Sequence, residues 1–167
     1  MRLLVAWAAG LLLAGCTHQP LGGAQPMPEV DLARYMGRWH EIVRYPQYFE
    51  RGCRDVTADY SLRPDGRVDV LNTCRKGEPA VVKTARAVGW SVEPSNSRLK
   101  VRFFWPFSGD YWVVGLDPGY RWAMVGSPQR DYFWILAREP RLEPGLEQAL
   151  FEKARGLGYD PARFERP

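Results

Sequence analysis

Apolar and polar residues alternate along most of the chain between residues 39 and 137. From Val56 to Leu62, for example, every second residue is apolar and the residues between them are polar. A period of two is typical of a strand that buries one face and leaves the other in water. Short segments rich in Pro, Gly, Asp and Ser separate eight stretches, of which the last three are apolar runs rather than alternating patterns. The predicted strands are residues 39–44, 55–62, 68–73, 80–92, 99–103, 110–116, 120–125 and 132–137.

Eight consecutive strands with short connections predict an all-β fold, an antiparallel up-and-down barrel. A barrel of eight strands is just wide enough to hold one small ligand, or to be filled by its own side chains. Asp31 stands at a capping position before a short apolar segment, which predicts one helical turn at the N-terminal end. Residues 142–156 place Leu146, Leu150 and Ala154 on one face of a helix, so a C-terminal helix is predicted to pack outside the barrel.

The first residues have the pattern of a secretory signal peptide. One positive charge at Arg2 precedes an apolar run that is too short to span a bilayer. The run ends in Leu13-Ala14-Gly15-Cys16, which resembles a bacterial lipobox, where cleavage precedes an acylated cysteine; an ordinary signal with a chance cysteine is the alternative. We predict a signal peptide over 1–15, lipidated Cys16 with a flexible tether over 16–29, and a barrel domain over 30–167.

Cys53 and Cys74 are the other two cysteines. They flank the turn residues 63–66, so in an antiparallel hairpin they come nearly opposite each other, and a secreted protein favours a disulfide between them. Two free thiols or a metal-binding pair are the alternatives, although no histidine lies nearby to complete a metal site.

The formal net charge is +4. Lys and Arg are scattered among acidic residues without a cluster, so the footprint of a nucleic-acid-binding protein is absent. The charge is interpreted as a solvated surface with mild attraction for anionic lipid head groups.

Catalytic and metal-binding motifs are missing from the sequence. The chain has two histidines, His18 in the tether and His40 in the first strand, and neither has a partner at a useful spacing. Glu41 and Glu50 are interpreted as solvated or salt-bridged charges rather than as a catalytic pair. Neither an enzymatic activity, nor a cofactor, nor a metal is expected.

Gly37 and Trp39 open the first strand, and Arg138 follows the last. By itself Trp39 is typical of a core tryptophan, but in a closed meander the last strand neighbours the first, so Arg138 can stack on the Trp39 ring. Gly-x-Trp with a distant Arg resembles the signature of the lipocalin family. The resemblance extends to residues 37–42, 49–52, 60–66, 103–107, 116–120 and 130–136.

This resemblance implies a cup closed at the Trp39 end that binds fatty acids or lysophospholipids, in a lipoprotein of the outer membrane whose domain lies in the periplasm. Thr17, which is not Asp, agrees with that sorting, whereas the Cys53 and Cys74 pair departs from the family pattern. A lipocalin-fold enzyme for an apolar substrate and a structural lipoprotein with a filled barrel are the alternatives, and a homodimer is left open.

The ligand-binding residues are predicted from the alternation of the strands. They are Tyr60, Ala85, Phe103, Tyr111, Tyr132 and Trp134. Tyr111, Tyr132 and Arg86 are the candidates for contact with a head group at the mouth. Motion is expected in the mouth loops, residues 46–52 and 107–109.

Overall fold

The computed structural model describes residues 25–167. The predicted signal peptide, Cys16 and most of the predicted tether lie outside the described residues. Close to the start of the described residues, the backbone N–H of Met27 donates to the carbonyl oxygen of Val113 at 2.7 Å.

Eight antiparallel strands form a closed barrel in sequence order, with the first strand paired to the last. The predicted fold is therefore confirmed. The strands are β1 (Gly37–Arg44), β2 (Cys53–Leu62), β3 (Val68–Lys76), β4 (Val81–Ser91), β5 (Arg98–Phe104), β6 (Phe107–Leu116), β7 (Trp122–Gly126) and β8 (Phe133–Ala137).

Two helices accompany the barrel. The first, α1 (Leu32–Tyr35), is the predicted single turn, and the Asp31 carboxylate accepts hydrogen bonds from the backbone N–H groups of Ala33 and Arg34. The second, α2 (Pro144–Gly156), buries Leu150 and Ala154 against the outside of the barrel, as predicted. No described helix is long and apolar enough to cross a membrane.

The connections define two different ends. The turns β2–β3, β4–β5 and β6–β7 lie with α1 at one end, which we call the closed end, and the other connections surround the open end. A 3₁₀ turn over Tyr48–Glu50 forms part of the β1–β2 loop at the open end. Residues 107–109, predicted as a mouth loop, belong instead to β6: Phe104 pairs with Phe107, so only Trp105 and Pro106 connect β5 to β6.

The first half of β4 departs from the barrel wall. It pairs with β3 along its whole length, whereas only Val88–Ser91 pairs with β5. The end of the β3–β4 hairpin, residues 75–83, therefore projects past the rim as a two-stranded ribbon, which we call the β3–β4 ribbon.

Candidate functional site

The closed end is sealed by Trp39, which is completely buried. Its indole Nε1 donates to the carbonyl oxygen of Tyr35 at 2.8 Å, and the Arg138 guanidinium carbon lies 3.8 Å from the ring centroid. The predicted stacking is thus present. Ring and guanidinium together close the bottom of the barrel.

Arg138 also binds the backbone around α1. Its guanidinium nitrogens donate to the carbonyl oxygens of Arg38 at 2.8 Å and of Arg34 and Met36 at 2.9 Å. Gly37 has a φ of +93°, and a Cβ there would lie 3.4 Å from the Arg138 Nη1. A glycine suits this position because the backbone is left-handed and passes close to the guanidinium. Arg138 therefore fixes the helical turn to the first strand.

Between the closed end and the mouth lies a cavity of about 220 Å³. The strands supply its walls through their inward positions, and Phe49 and Glu50 come from the β1–β2 loop. The remaining lining residues are Glu41, Val56, Ala58, Tyr60, Val70, Asn72, Val101, Phe103, Gly109, Asp110, Tyr111, Val125, Tyr132, Trp134 and Leu136. The interior is mostly apolar and is not filled by the protein's own side chains.

Five of the six predicted ligand-binding residues line this cavity: Tyr60, Phe103, Tyr111, Tyr132 and Trp134. Ala85 does not line the cavity. It lies in the part of β4 that does not pair with β5, and its side chain is exposed. Arg86 is likewise exposed, and it lines a groove on the outer surface with Asp69 and Leu71 rather than the mouth. Alternation predicts on which face of a strand a side chain lies, but it does not show where the strand extends beyond the barrel.

Tyr111 lies deeper than predicted. Its hydroxyl is 2.9 Å from the Tyr35 hydroxyl and 3.1 Å from the Tyr60 hydroxyl. Burial raises the pKa of Tyr60 to about 12 and raises the pKa of Tyr111 as well. All three phenols are therefore neutral at physiological pH and form a hydrogen-bonded floor. Tyr111 contributes to this floor and not to the mouth.

A cluster of charges borders the cavity beside β1. The Arg44 Nη1 lies 2.9 Å from the Glu41 Oε1, and the Arg44 Nε lies 2.7 Å from the Glu165 Oε1. Arg44 also donates to the backbone carbonyl oxygen of Glu50, whose carboxylate accepts from the Trp134 indole at 3.3 Å. One guanidinium thus faces three carboxyl groups, and its nitrogens are engaged by protein oxygens.

Burial, followed by the charge of Glu50, raises the pKa of Glu41 to about 8, although Arg44 acts in the opposite direction. Burial also raises the pKa of Glu50. The sequence did not predict that Glu41 and Glu50 line the cavity. The alternation that points Trp39 inward also points Glu41 inward, so this pattern could have predicted the position of Glu41.

The described lining carries carboxyl groups but no basic side chain. Glu41, Glu50 and Asp110 line the cavity, and Asp110 pairs with Lys100 at 2.7 Å. An anionic head group drawn deep into this cavity meets no basic side chain in the lining, and the nearby Arg44 and Lys100 are already paired with carboxyl groups. Within residues 25–167, no group of His, Cys, Asp and Glu side chains is arranged to hold a metal ion.

Near the open end, Cys53 and Cys74 form a disulfide with a Cα–Cα distance of 5.4 Å. Cys53 stands opposite Lys76 in the β2–β3 ladder, and the register shifts between Arg54 and Thr57. The predicted bond is confirmed.

The closed eight-stranded barrel, the cavity and the Trp39–Arg138 seal together define a lipocalin. A model of the lipocalin-like domain matches residues 30–167, and this chain belongs to the lipocalin family. It is 38% identical to outer membrane lipoprotein Blc of Escherichia coli K12 over 98% of this chain and 96% of the relative. Identity to outer membrane lipoprotein Blc of Citrobacter freundii is 40%, over 96% and 93%. A solved structure of insecticyanin from the tobacco hornworm Manduca sexta superposes with a TM-score of 0.68 at 19% identity, covering 85% of this chain and 82% of that one.

Proposed function

We propose that this protein binds the acyl chain of a fatty acid or a lysophospholipid in its barrel and stores or carries that lipid in the cell envelope. The observation that supports the proposal most is the open, mostly apolar cavity above the tyrosine floor. Each methylene buried there contributes about 0.8 kcal/mol, so a long chain binds without any charge contact.

The charge of the lining suggests an orientation for the lipid. Because Glu50 and Asp110 are acidic, Glu41 is mostly protonated at neutral pH, and no basic residue joins them in the described lining, the lining offers an anionic head group no favourable charge. The acyl chain therefore enters first and the head group stays at the mouth. There Tyr132 and Trp134 stack with ring centroids 5.9 Å apart. Tyr132 is thus the remaining candidate of the three head-group residues.

Displacement of a fluorescent fatty acid tests the cavity. Ala58 lines the cavity, so Ala58→Trp should fill part of it and weaken probe binding at least tenfold. Ser61→Trp is the matched control: Ser61 lies on the same strand, but its side chain is on the outer face, and probe affinity should be unchanged. Equal affinities in both variants, with thermal unfolding confirming that both fold, would refute binding in the barrel.

The membrane anchor is part of the same proposal. We infer that an acylated Cys16 anchors the protein in the outer membrane, with its domain in the periplasm; the relatives from Escherichia coli and Citrobacter freundii are outer membrane lipoproteins. Cys16→Ser should abolish incorporation of a labelled fatty acid and release the protein from the membrane fraction. The control, Cys53→Ser with Cys74→Ser, should keep the label. Protease should reach the domain only after the outer membrane is opened.

The absence of catalysis stays a prediction, and a homodimer stays an open alternative. That the protein is not an enzyme would be overturned by turnover of a lysophospholipid that is lost in Glu41→Gln or Glu50→Gln. A homodimer would appear as a doubled mass in light scattering of the purified protein.

A further inference from the structure

Large apolar side chains are exposed at the open end. Phe104, Trp105 and Phe107 form the tip of the β5–β6 hairpin, and Tyr48 and Phe49 lie in the β1–β2 loop; these five are between 61% and 84% exposed. Phe49 and Phe103 both line the cavity, so the loop and the hairpin border one mouth. We call the five residues the aromatic rim.

Exposed apolar residues are not spread over the whole surface. Ten large hydrophobic residues are exposed in the described chain, and only Leu62 and Val92 lie at the closed end. The others are the aromatic rim, Phe103, and Val81 and Val82 of the β3–β4 ribbon. Single exposed apolar residues are normal in soluble proteins, whereas a concentration of them at one end marks an interaction surface.

Positive charge accompanies the rim. Arg75, Lys76 and Lys83 are exposed on the β3–β4 ribbon, and none of them has an ion pair within the described part of the chain. Glu78, the acidic residue of the ribbon, is paired with Arg54. The ribbon therefore presents a surplus of positive charge next to Val81 and Val82.

We propose that the open end docks on an anionic lipid surface, with the aromatic rim in the interface and the basic ribbon over the head groups. Aromatic side chains favour the membrane interface because they combine an apolar ring with a polarisable or hydrogen-bonding edge. Lys and Arg side chains close to an anionic surface are attracted to its head groups. Docking in this way turns the mouth of the cavity towards the bilayer.

The length of the N-terminal segment agrees with this orientation. If Cys16 is acylated as proposed, about nine residues from Cys16 to Ala24 span at most about 30 Å. The chain joins the barrel where Met27 bonds to Val113, and the path along β6 from Val113 to the tip at Phe107 is about 20 Å. The anchor and the rim can therefore reach the same bilayer.

A second copy of the chain fits this surface less well than a lipid surface does. Pairing two molecules mouth to mouth brings the surplus positive charge of both β3–β4 ribbons to one interface, and like charges at an interface oppose association. The phosphates of an anionic bilayer complement the same charge. The lipid surface is the occupant to which we commit.

Sedimentation with vesicles tests the proposal. The chain from residue 17 onwards lacks Cys16 but contains every described strand and helix, so any vesicle binding comes from the domain itself. It should bind vesicles of phosphatidylglycerol and phosphatidylcholine in equal parts, and bind pure phosphatidylcholine at least tenfold more weakly. Blue-shifted fluorescence that disappears in Trp105→Ser should accompany binding.

Matched variants test which end of the barrel contacts the vesicle. Phe104→Ser, Trp105→Ser and Phe107→Ser combined should weaken vesicle binding at least tenfold. Leu62→Ser with Val92→Ser, the exposed apolar residues of the closed end, should leave it unchanged. Lys76→Gln with Lys83→Gln should weaken binding and reduce its dependence on salt.

Three outcomes would overturn the proposal: no vesicle binding by the parent chain, equal binding by the rim and closed-end variants, or a doubled mass that the rim substitutions abolish. The rim substitutions spare the residues that line the cavity. Displacement of a fluorescent fatty acid without vesicles should therefore be unchanged in the rim variant, which separates failure of membrane docking from failure of lipid binding.

Discussion

At the scale of single residues, Arg138 contributes more than a stacking contact. The sequence predicted that its charge would lie over Trp39, because the last strand of a barrel neighbours the first. It did not predict the hydrogen bonds to the carbonyl oxygens of Arg34, Met36 and Arg38. Those acceptors are backbone atoms of the helical turn, its C-cap and the start of β1, so no side-chain pattern predicts them.

Replacing Trp39 by Ala should lower the free energy of unfolding by about 3–5 kcal/mol, because the change leaves a large cavity in a fully buried site. Urea unfolding measures the loss. Trp105→Ala is the control, because Trp105 is exposed, and it should change stability by less than about 0.5 kcal/mol. Trp39 lies beneath the floor, so the folded fraction of the Trp39 variant should keep its ligand selectivity. A fully stable Trp39→Ala protein would contradict the seal described above.

Glu41 should make the stability of the folded protein decrease as the pH rises. Its pKa is about 8 in the folded protein and about 4.3 when unfolded, so between these values the folded state holds a proton that the unfolded state releases. The contribution is present at low pH and is lost as the pH rises through 8. Glu41 should therefore make the free energy of unfolding fall by at most about 1.4 kcal/mol per pH unit in this range, and Glu41→Gln should remove that slope.

Urea unfolding of the parent and of Glu41→Gln at pH 5, 7 and 9 measures this slope. Between pH 5 and pH 8 the parent should lose stability relative to the variant as the pH rises, and above pH 8 the two stabilities should change in parallel. Parallel pH profiles would show that Glu41 does not hold its proton in the folded state.

At the scale of elements, alternation located the first strands, and apolar runs between turns located the last three; β7, one of those runs, is buried along its whole length. Alternation failed for Ala85 and for residues 107–109, and the reason is the same in both places. A period of two does not show how far a strand continues beyond its neighbour, because that length depends on strand pairing. β4 extends beyond its pairing with β5, and β6 continues to the tip of the β5–β6 hairpin.

The β2–β3 hairpin carries the disulfide, and its removal should be costly. Cys53 and Cys74 are separated by 21 positions, and closing a loop of that length stabilises the fold by roughly 3 kcal/mol in the chain-entropy model. Cys53→Ser with Cys74→Ser should lower the free energy of unfolding by about that amount. Adding reductant to the parent should reproduce the loss, whereas the double variant should not respond to reductant.

At the scale of the whole molecule, the sequence predicted a cup with an apolar wall but not the charge of its interior. The buried cluster joins Glu41, Arg44 and Glu50 near the start of the chain to Glu165 near its end. Residues so far apart in sequence meet only after the barrel has closed and the C-terminal segment has paired with β1 through Arg44 and Glu165. Spacing along the chain carries no signal for such a cluster.

That interior charge predicts a preference among amphiphiles of equal chain length. The carboxyl groups of the lining oppose an anionic head, so dodecanol should displace a fluorescent probe at lower concentration than laurate at pH 8, by about threefold to tenfold, or about 1 kcal/mol.

Glu50→Gln should reduce the affinity difference between dodecanol and laurate by strengthening laurate binding. The substitution removes a negative charge from the mouth, while Gln keeps an oxygen to accept from Trp134. Asp65→Asn, in the β2–β3 turn at the closed end, should leave the affinity difference unchanged. Tighter binding of laurate than of dodecanol to the parent would mean that a basic group reaches the ligand, and the orientation proposed for the lipid would then be wrong.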